Sequence, residues 1–155
     1  MLDFVEINKD NIHWYCKFEN IFEKELRIFQ SRIYPHNSDF FVPLTEYGAL
    51  KWSYMFYGGK IIGAIWLEKE HTCLRTAQLG IFIADKEMRN KGIGTKAIIR
   101  FICENKKAMK LTEVTLNVRT DNIRAIRCYE KCGFECEQKF KKADGTKVMK
   151  MINYL

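Results

Sequence analysis

The feature that most constrains the fold is a glycine-containing loop between a predicted strand and a predicted helix. A β-rich run at residues 77–84 leads into a loop that ends in Arg89-Asn90-Lys91-Gly92-Ile93-Gly94, and helical spacing follows to about residue 107. Glycines let the backbone approach a ligand, and the first turn of a helix presents unpaired N–H groups at its positive dipole end. The sequence therefore predicts an anion site, for which a pyrophosphate is the natural occupant.

The rest of the chain alternates between strand and helix patterns. Residues 2–7, 51–57, 60–68 and 112–118 are predicted strands, and Gly58-Gly59 makes a tight hairpin turn between the second and third of these. Apolar residues from Tyr15 to Ile33 recur every three or four positions, which predicts an amphipathic helix. A helix capped by Asp121 or Asn122 runs to Cys132, and residues 134–140 and 147–154 form a last hairpin. This order predicts one mixed sheet with helices on its faces.

Length and charge narrow the possible classes of protein. The 155 residues suit a single domain, and no apolar run reaches the 18 residues that would span a membrane. The N-terminus has no basic and apolar leader, so we expect a cytoplasmic protein. The formal charge of +7 favours acidic partners such as phosphorylated cofactors. Basic residues do not form a stripe interleaved with aromatics, so we expect no nucleic-acid partner.

The six cysteines are expected to be free thiols rather than a disulfide framework. Cys128, Cys132 and Cys136 are evenly spaced, which raises the question of a metal site. Gly133 and Phe134 interrupt that run, however, and the chain contains no Cys-x-x-Cys pair. We therefore expect no metal.

Two phosphate-binding motifs compete for the loop. Gly92-x-Gly94-x-x-Ala97 satisfies the dinucleotide fingerprint, but residues 85–91 separate it from the strand that should precede it directly. The P-loop pattern is excluded, because no Gly-Lys-Ser/Thr sequence is present. The other interpretation is a loop that holds the pyrophosphate of an acyl-coenzyme A.

From about Gly58 to its end the chain resembles the Gcn5-related N-acetyltransferase (GNAT) superfamily. The resemblance rests on the segments 77–83 and 89–94, on Asn117-Val118 followed by Asn122, Ala125 and Tyr129-Glu130-Lys131-Cys132-Gly133-Phe134, and on the closing hairpin. It implies an α/β (α+β) fold with a mixed, mostly antiparallel sheet of six to seven strands, helices on both faces, and splayed fourth and fifth strands. It also implies one domain over residues 1–155, with an acetyl-CoA-binding core at 58–155 and an acceptor-side part at 1–57.

The resemblance further implies a set of cofactor-binding residues. The strand residues Ile81, Phe82 and Ile83 would hold the pantetheine arm, with the backbone of Ile81 and Ile83 pairing with its amides. The loop that would cradle the pyrophosphate comprises Arg89, Asn90, Lys91, Gly92, Ile93, Gly94 and Thr95. Asn122 would hydrogen-bond the cofactor with Ala125 and Cys128 beside it, and the Tyr129 hydroxyl would protonate the leaving thiolate.

The resemblance therefore implies an acetyl-CoA-dependent N-acetyltransferase that acts directly on a primary amine, such as a small amine, an amino acid or a peptide N-terminus. At pH 7, deprotonating a lysine-like amine costs about 4.6 kcal/mol unless a base assists. Many relatives carry Glu as the base where this chain has Gln78, which cannot accept a proton. Glu68 is the substitute candidate, and His71 or a path through water are alternatives. Glu68 could instead be only an exposed carboxylate at the end of a strand. The missing carboxylate also leaves open a noncatalytic acyl-CoA sensor. A homodimer is possible through edge strands.

Overall fold

The computed structural model describes residues 1–8, 10–14 and 49–155. Within these ranges the strands are β1 Leu2–Glu6, β2 Leu50–Tyr57, β3 Lys60–Glu68, β4 Thr76–Ile83, β5 Glu113–Arg119, β6 Glu135–Lys141 and β7 Lys147–Tyr154. The helices are α1 Ile93–Asn105 and α2 Ile123–Lys131, and a short 3-10 helix covers Lys86–Met88. The predicted aromatic helix between Tyr15 and Ile33 lies outside the described residues.

The described strands form one sheet in the order β1-β2-β3-β4-β5-β7-β6. Neighbouring strands are antiparallel except for β4 and β5, which are parallel because α1 connects them. The sequence predicted a mostly antiparallel mixed sheet of six to seven strands, and this prediction is confirmed.

The parallel pair separates soon after it begins. Thr76, Ala77 and Gln78 of β4 pair with residues 113–115 of β5, and the pairing between the two strands ends there. On its other side β4 stays paired with β3 as far as Ile83. The second half of β4 therefore borders a gap in the sheet, which confirms the predicted splay of the fourth and fifth strands.

The two hairpins have turns whose residues match their backbone conformations. Gly58 and Gly59, between β2 and β3, have φ angles of 57° and 79°, as the two-residue turn of a tightly connected hairpin requires. Between β6 and β7, Gly145 has a φ of 88°, and the Asp144 carboxylate accepts a hydrogen bond from the Thr146 amide at 2.9 Å. Both hairpins were predicted from these residues.

The core consists of two clusters of buried hydrophobic side chains, and alternate residues of the central strands contribute to one cluster or the other. One cluster contains Leu79 of β4 and the buried side of α1, where Ile93, Ala97, Ile98, Phe101 and Ile102 lie. It also contains Ile126, so both α-helices of the described residues pack on this cluster. The second cluster is aromatic and includes Trp52, Tyr54, Trp66 and Phe82. Trp52 and Trp66 are both buried in it.

Candidate active site

Two cavities meet at the gap between β4 and β5. The larger has a volume of about 640 Å³ and extends over Glu68, Gln78 and Asn117. The smaller has a volume of about 490 Å³ and lies between the first turn of α1 and the helix α2. Ile81 of β4 and Tyr129 of α2 line both cavities. A molecule that fills the smaller cavity can therefore meet a second molecule in the larger one beside these two residues.

The first turn of α1 forms one wall of the smaller cavity. Gly92 is the N-cap with a φ of 74°, and no side chain caps the helix. The first intrahelical hydrogen bond runs from the Lys96 amide to the Gly92 carbonyl at 3.1 Å. The amides of residues 93–95 therefore have no intrahelical acceptor, and Gly94 and Thr95 line the cavity. This is the geometry of an anion site at a helix N-terminus.

The loop before α1 has a backbone that suits the same role. Asn90 and Gly92 both have positive φ angles, of 62° and 74°. Such alternation of backbone conformations turns successive N–H groups toward one concave surface, which binds anions. Both residues line the smaller cavity. The glycine-rich pattern of the sequence thus corresponds to a loop that only glycine and asparagine adopt without large strain.

Arg89 braces this loop. Its Nε donates to the Ile83 carbonyl at 2.9 Å, and its Nη2 donates to the Ala84 carbonyl at 3.4 Å. The side chain is half-buried and lines the smaller cavity. The resemblance placed Arg89 and Lys91 in the loop that would cradle the pyrophosphate. The structure adds that the Arg89 guanidinium fastens the loop to the end of β4, whereas Lys91 is exposed and lies outside the cavity lining.

The charge of the smaller cavity is positive. Its lining includes Arg89 from the loop and three cations from α2, which are Arg124, Arg127 and Lys131. None of the described residues in this lining is a carboxylate. Sequence analysis missed the α2 cations, although their spacing of three and four residues places them on one side of a helix. The cavity therefore combines helix amides with side-chain cations, which suits a phosphorylated ligand.

Most of the predicted cofactor residues line this cavity. They are Ile81, Phe82, Ile83, Arg89, Asn90, Gly92, Gly94, Thr95, Asn122, Ala125, Cys128 and Tyr129. Lys91 and Ile93 do not line it, because Lys91 is exposed and the Ile93 side chain is buried in the core. Phe82 is also buried, against the ring of Trp66 at 6.3 Å between centroids. The Asn122 side chain accepts a hydrogen bond from the Ala125 amide at 3.3 Å, so it caps α2.

Tyr129 is held where the cavities meet. Its ring packs edge-on against Phe134, with 6.1 Å between centroids. Burial raises the pKa of its phenol above the ordinary value, and negative charge on Cys128 or Cys132 raises it further. The phenol therefore stays protonated at neutral pH, which a proton donor requires.

The larger cavity contains the candidate base. Glu68 is the cross-strand partner of Gln78, and both line the cavity. Glu68 therefore lies on the strand next to Gln78, the position at which the family resemblance led us to expect a carboxylate. The structure places Glu68 and Tyr129 along the walls of the same cavity.

The larger cavity is lined by charges of both signs. Glu68, Glu70 and Glu113 lie where β4 and β5 are paired, and Arg119 lies at the far end of β5. The lining also includes Lys142 and the ion pair of Glu137 with Lys150, at 2.7 Å. Glu113 accepts a hydrogen bond from the Thr76 hydroxyl at 2.6 Å, and Arg119 pairs with Asp121 at 2.7 Å. Sequence analysis did not assign Glu113 to the site, because no local pattern reveals which strand becomes its parallel neighbour.

Gly80 allows Trp66 to form part of the cavity wall. A Cβ atom at residue 80 would lie 2.0 Å from the Trp66 ring. We expect Gly80→Ala to displace this ring and to lower the free energy of unfolding by about 1–3 kcal/mol, as other overpacked cores do. Denaturant unfolding checks this, with Gly94→Ala as the control, because a Cβ atom there makes only ordinary contacts at 3.5 and 3.6 Å and Gly94 has no positive φ. Equal loss in both variants would contradict close Trp66 packing.

No group of three or more His, Cys, Asp or Glu side chains among the described residues is arranged to hold a metal ion. No helix within the described ranges combines the length and hydropathy needed to cross a membrane. The five cysteines in this part of the chain are free thiols.

The sequence matches the acetyltransferase (GNAT) family over residues 8–134. This chain belongs to that family. The family and the fold class predicted from the sequence are thus confirmed, and the predicted acetyltransferase class with acetyl-CoA as its acyl donor agrees with the family.

Curated relatives match part of this chain. The chain is 35% identical over 80 residues to N-alpha-acetyltransferase 30 of Dictyostelium discoideum, a match that covers 51% of this chain and 43% of the relative. The chain spans about half the length of the curated relatives that it matches.

Two solved structures show the same fold. A spermidine N-acetyltransferase from Vibrio cholerae, in complex with CoA and spermine, superposes with a TM-score of 0.77 at 19% identity, over 99% of this chain and 95% of that chain. An aminoglycoside acetyltransferase in complex with coenzyme A and kanamycin gives 0.75 at 17% identity, over 99% and 95% of the two chains.

Proposed function

We propose that this protein transfers an acetyl group from acetyl-CoA directly to a primary amine. Acetyl-CoA enters the smaller, basic cavity, and the amine enters the larger one. The observation that carries the proposal is that Ile81 and Tyr129 line both cavities at the gap between β4 and β5. Binding both substrates beside one protonated phenol supplies the proximity and the proton that the transfer needs.

The donor is positioned by backbone groups and cations. We assign its pyrophosphate to the loop and first turn at residues 89–95, with Arg124, Arg127 and Lys131 adding positive charge. Asn122, Ala125 and Cys128 complete the wall on the α2 side. Family membership supports acetyl-CoA as the occupant.

The pantetheine arm is assigned to the free edge of β4. The Ala84 amide donates to the Ile62 carbonyl in β3 at 2.8 Å. Because backbone groups alternate along a strand, those of Ile81 and Ile83 face the opposite edge, toward the gap. β5 does not pair with this part of β4, so an extended arm with two amides can take the place of the absent strand.

The ammonium form of the acceptor first gives a proton to Glu68, directly or through water, and the neutral amine then attacks the thioester carbonyl. As the C–S bond breaks, the coenzyme A thiolate takes a proton from the Tyr129 hydroxyl. The acylated nitrogen loses its second proton in the same step, and that proton restores the Tyr129 phenol. No covalent acyl-enzyme is needed, because donor and acceptor meet directly.

The acceptor cavity favours certain amines. Glu68 and Glu70 can receive an ammonium group near the paired ends of β4 and β5, while Arg119 lies at the other end. This layout suits an acceptor that carries an anionic or hydroxyl group besides its amine, such as an amino acid or a peptide N-terminus. A net charge of +7 also disfavours polycationic amines.

The assignment of Glu68 is tested with Glu68→Gln. We expect kcat/KM for the amine to fall roughly 100-fold at pH 7, because the ammonium group loses its proton acceptor. Steady-state thiol release measures this, with Glu70→Gln as the matched control, since Glu70 lines the same cavity. Equal losses in the two variants would show that Glu68 contributes only charge.

A noncatalytic acyl-CoA sensor is the rival function, because Gln78 cannot accept a proton. The sensor predicts acetyl-CoA binding without thiol release for every amine tested. A cytoplasmic location and a homodimer remain predictions from the sequence.

A further inference from the structure

A pair of thiols adjoins the donor cavity. Cys128 and Cys132 lie one turn apart in α2 and at its C-cap, and Cys128 lines the smaller cavity. We propose that Cys128 is a modification site that undergoes exchange with an anionic low-molecular-weight disulfide, and that the resulting mixed disulfide blocks acetyl-CoA binding. The blocking part of this inference rests on the proposed donor site.

The contacts of the Cys128 sulfur place it against the anion-binding turn. Its Sγ lies 3.3 Å from the Thr95 Oγ1, and the Cys132 Sγ lies 3.7 Å from the Thr95 carbonyl oxygen. A Cβ atom on Gly94 would lie 3.5 Å from the same Sγ. The sulfur is therefore beside the uncapped N-terminus of α1, whose dipole favours a negative charge.

These surroundings favour the thiolate of Cys128. The pKa of Cys128 is lowered to about 6. The largest cause is a hydrogen bond from the Cys132 thiol, and Thr95 and the cations Lys131 and Arg124 lower the pKa further, whereas burial raises it. The same pair interaction and burial raise the pKa of Cys132, so Cys132 keeps its proton and serves as a donor. The other titratable side chains that line the same cavity are Tyr129 and Arg127 on α2 and Arg89 in the loop before α1.

The exchange needs no oxidant or reductant other than the thiolate and the disulfide themselves. The Cys128 thiolate attacks one sulfur of the disulfide, and the S–S bond breaks. The other half leaves as a thiolate and takes a proton from water. Cys128 is thereby oxidised to a mixed disulfide, and the leaving half is reduced. Arg124, Arg127 and Lys131 attract anionic disulfides, and the attached group then occupies the 490 Å³ cavity beside Gly94.

The test uses glutathione disulfide as the anionic probe and cystamine as the cationic one, with peptide mass spectrometry to locate the modified cysteine. We expect Cys128 to react faster with glutathione disulfide than Cys103 and Cys136, which are exposed. From pH 7.5 to pH 6 its rate should fall about twofold, whereas an ordinary thiol with a pKa of about 8.5 slows roughly thirtyfold. Cys132→Ala should make the reaction of Cys128 more pH-sensitive, because the largest of the interactions that lower its pKa is lost.

Two variants serve as controls for the site of modification. Cys103→Ser should leave the modification of Cys128 unchanged, and Cys128→Ser should abolish it. Modification spread evenly over the exposed cysteines, a thirtyfold fall in the rate at Cys128, or faster reaction with cystamine would overturn the proposal.

The binding of acetyl-CoA separates this inference from the proposed function. If modified protein still binds acetyl-CoA as tightly as untreated protein, the blocking inference fails and the donor site stands. If untreated protein binds no acetyl-CoA, the donor site fails independently of the exchange.

Discussion

Replacing Gly94 with tryptophan is expected to abolish acetyl-CoA binding. The new side chain would begin between the Cys128 sulfur and the Ile83 side chain, which lie 3.5 and 3.6 Å from the position of a Cβ atom. Both residues line the smaller cavity, so the indole would fill the space that we assign to the pyrophosphate and pantetheine. We expect the Kd to rise about 100-fold or more, which corresponds to roughly 2.8 kcal/mol. Calorimetric titration measures the change.

Gly94→Ala is the matched control for this variant. Its Cβ would make ordinary contacts, and Gly94 does not have a positive φ, so the backbone is unstrained. We expect a Kd within a few-fold of the wild-type value and an unchanged fold by circular dichroism. Tight acetyl-CoA binding by Gly94→Trp would show that the cofactor lies elsewhere.

Replacing Tyr129 with phenylalanine is expected to lower kcat by about 100-fold or more. A 100-fold loss corresponds to roughly 2.7 kcal/mol of activation free energy. Phenylalanine keeps the ring contact with Phe134 but has no proton to give the leaving thiolate. Because the hydroxyl acts at the chemical step, the Kd for acetyl-CoA should change little. The variant therefore separates catalysis from binding.

The measurement is thiol release under saturating acetyl-CoA and amine, together with a titration of acetyl-CoA alone. Phe134→Leu is a useful comparison, because it disturbs the packing of Tyr129 and leaves the hydroxyl in place. A wild-type kcat in Tyr129→Phe would remove Tyr129 from the role of proton donor. Since the Tyr129 pKa is raised, its ionisation should not limit the rate between pH 7 and pH 9.

Local sequence patterns predicted most elements because the relevant interactions are local. Gly92 marked the start of α1, and the Gly58-Gly59 turn fixed the β2–β3 hairpin. The helix predicted to end near Lys107 ends at Asn105, and Asn122 caps α2, as one of the two predicted alternatives. Turn and cap chemistry depends on a few neighbouring residues, so it can be inferred from the chain alone.

Contacts between distant segments were less predictable. The role of Arg89 as a brace depends on where the Ile83 carbonyl points, and the place of Glu113 depends on the parallel pairing of β5 with β4. The contact of Cys128 with Thr95 joins residues 33 positions apart, and nothing in the spacing of the cysteines indicated it. Such features follow from tertiary packing, which a single sequence does not display.

The most direct test of the account is one experiment on the wild-type protein, in which acetyl-CoA is titrated calorimetrically and thiol release is then measured with a panel of amines. The panel contains amino acids, short peptides, a polyamine and an aminoglycoside, with an acetylated peptide as the blocked control. We expect saturable acetyl-CoA binding and thiol release that requires a free primary amine. Failure to bind acetyl-CoA, or binding with no release for any amine, would contradict the proposed acetyl transfer.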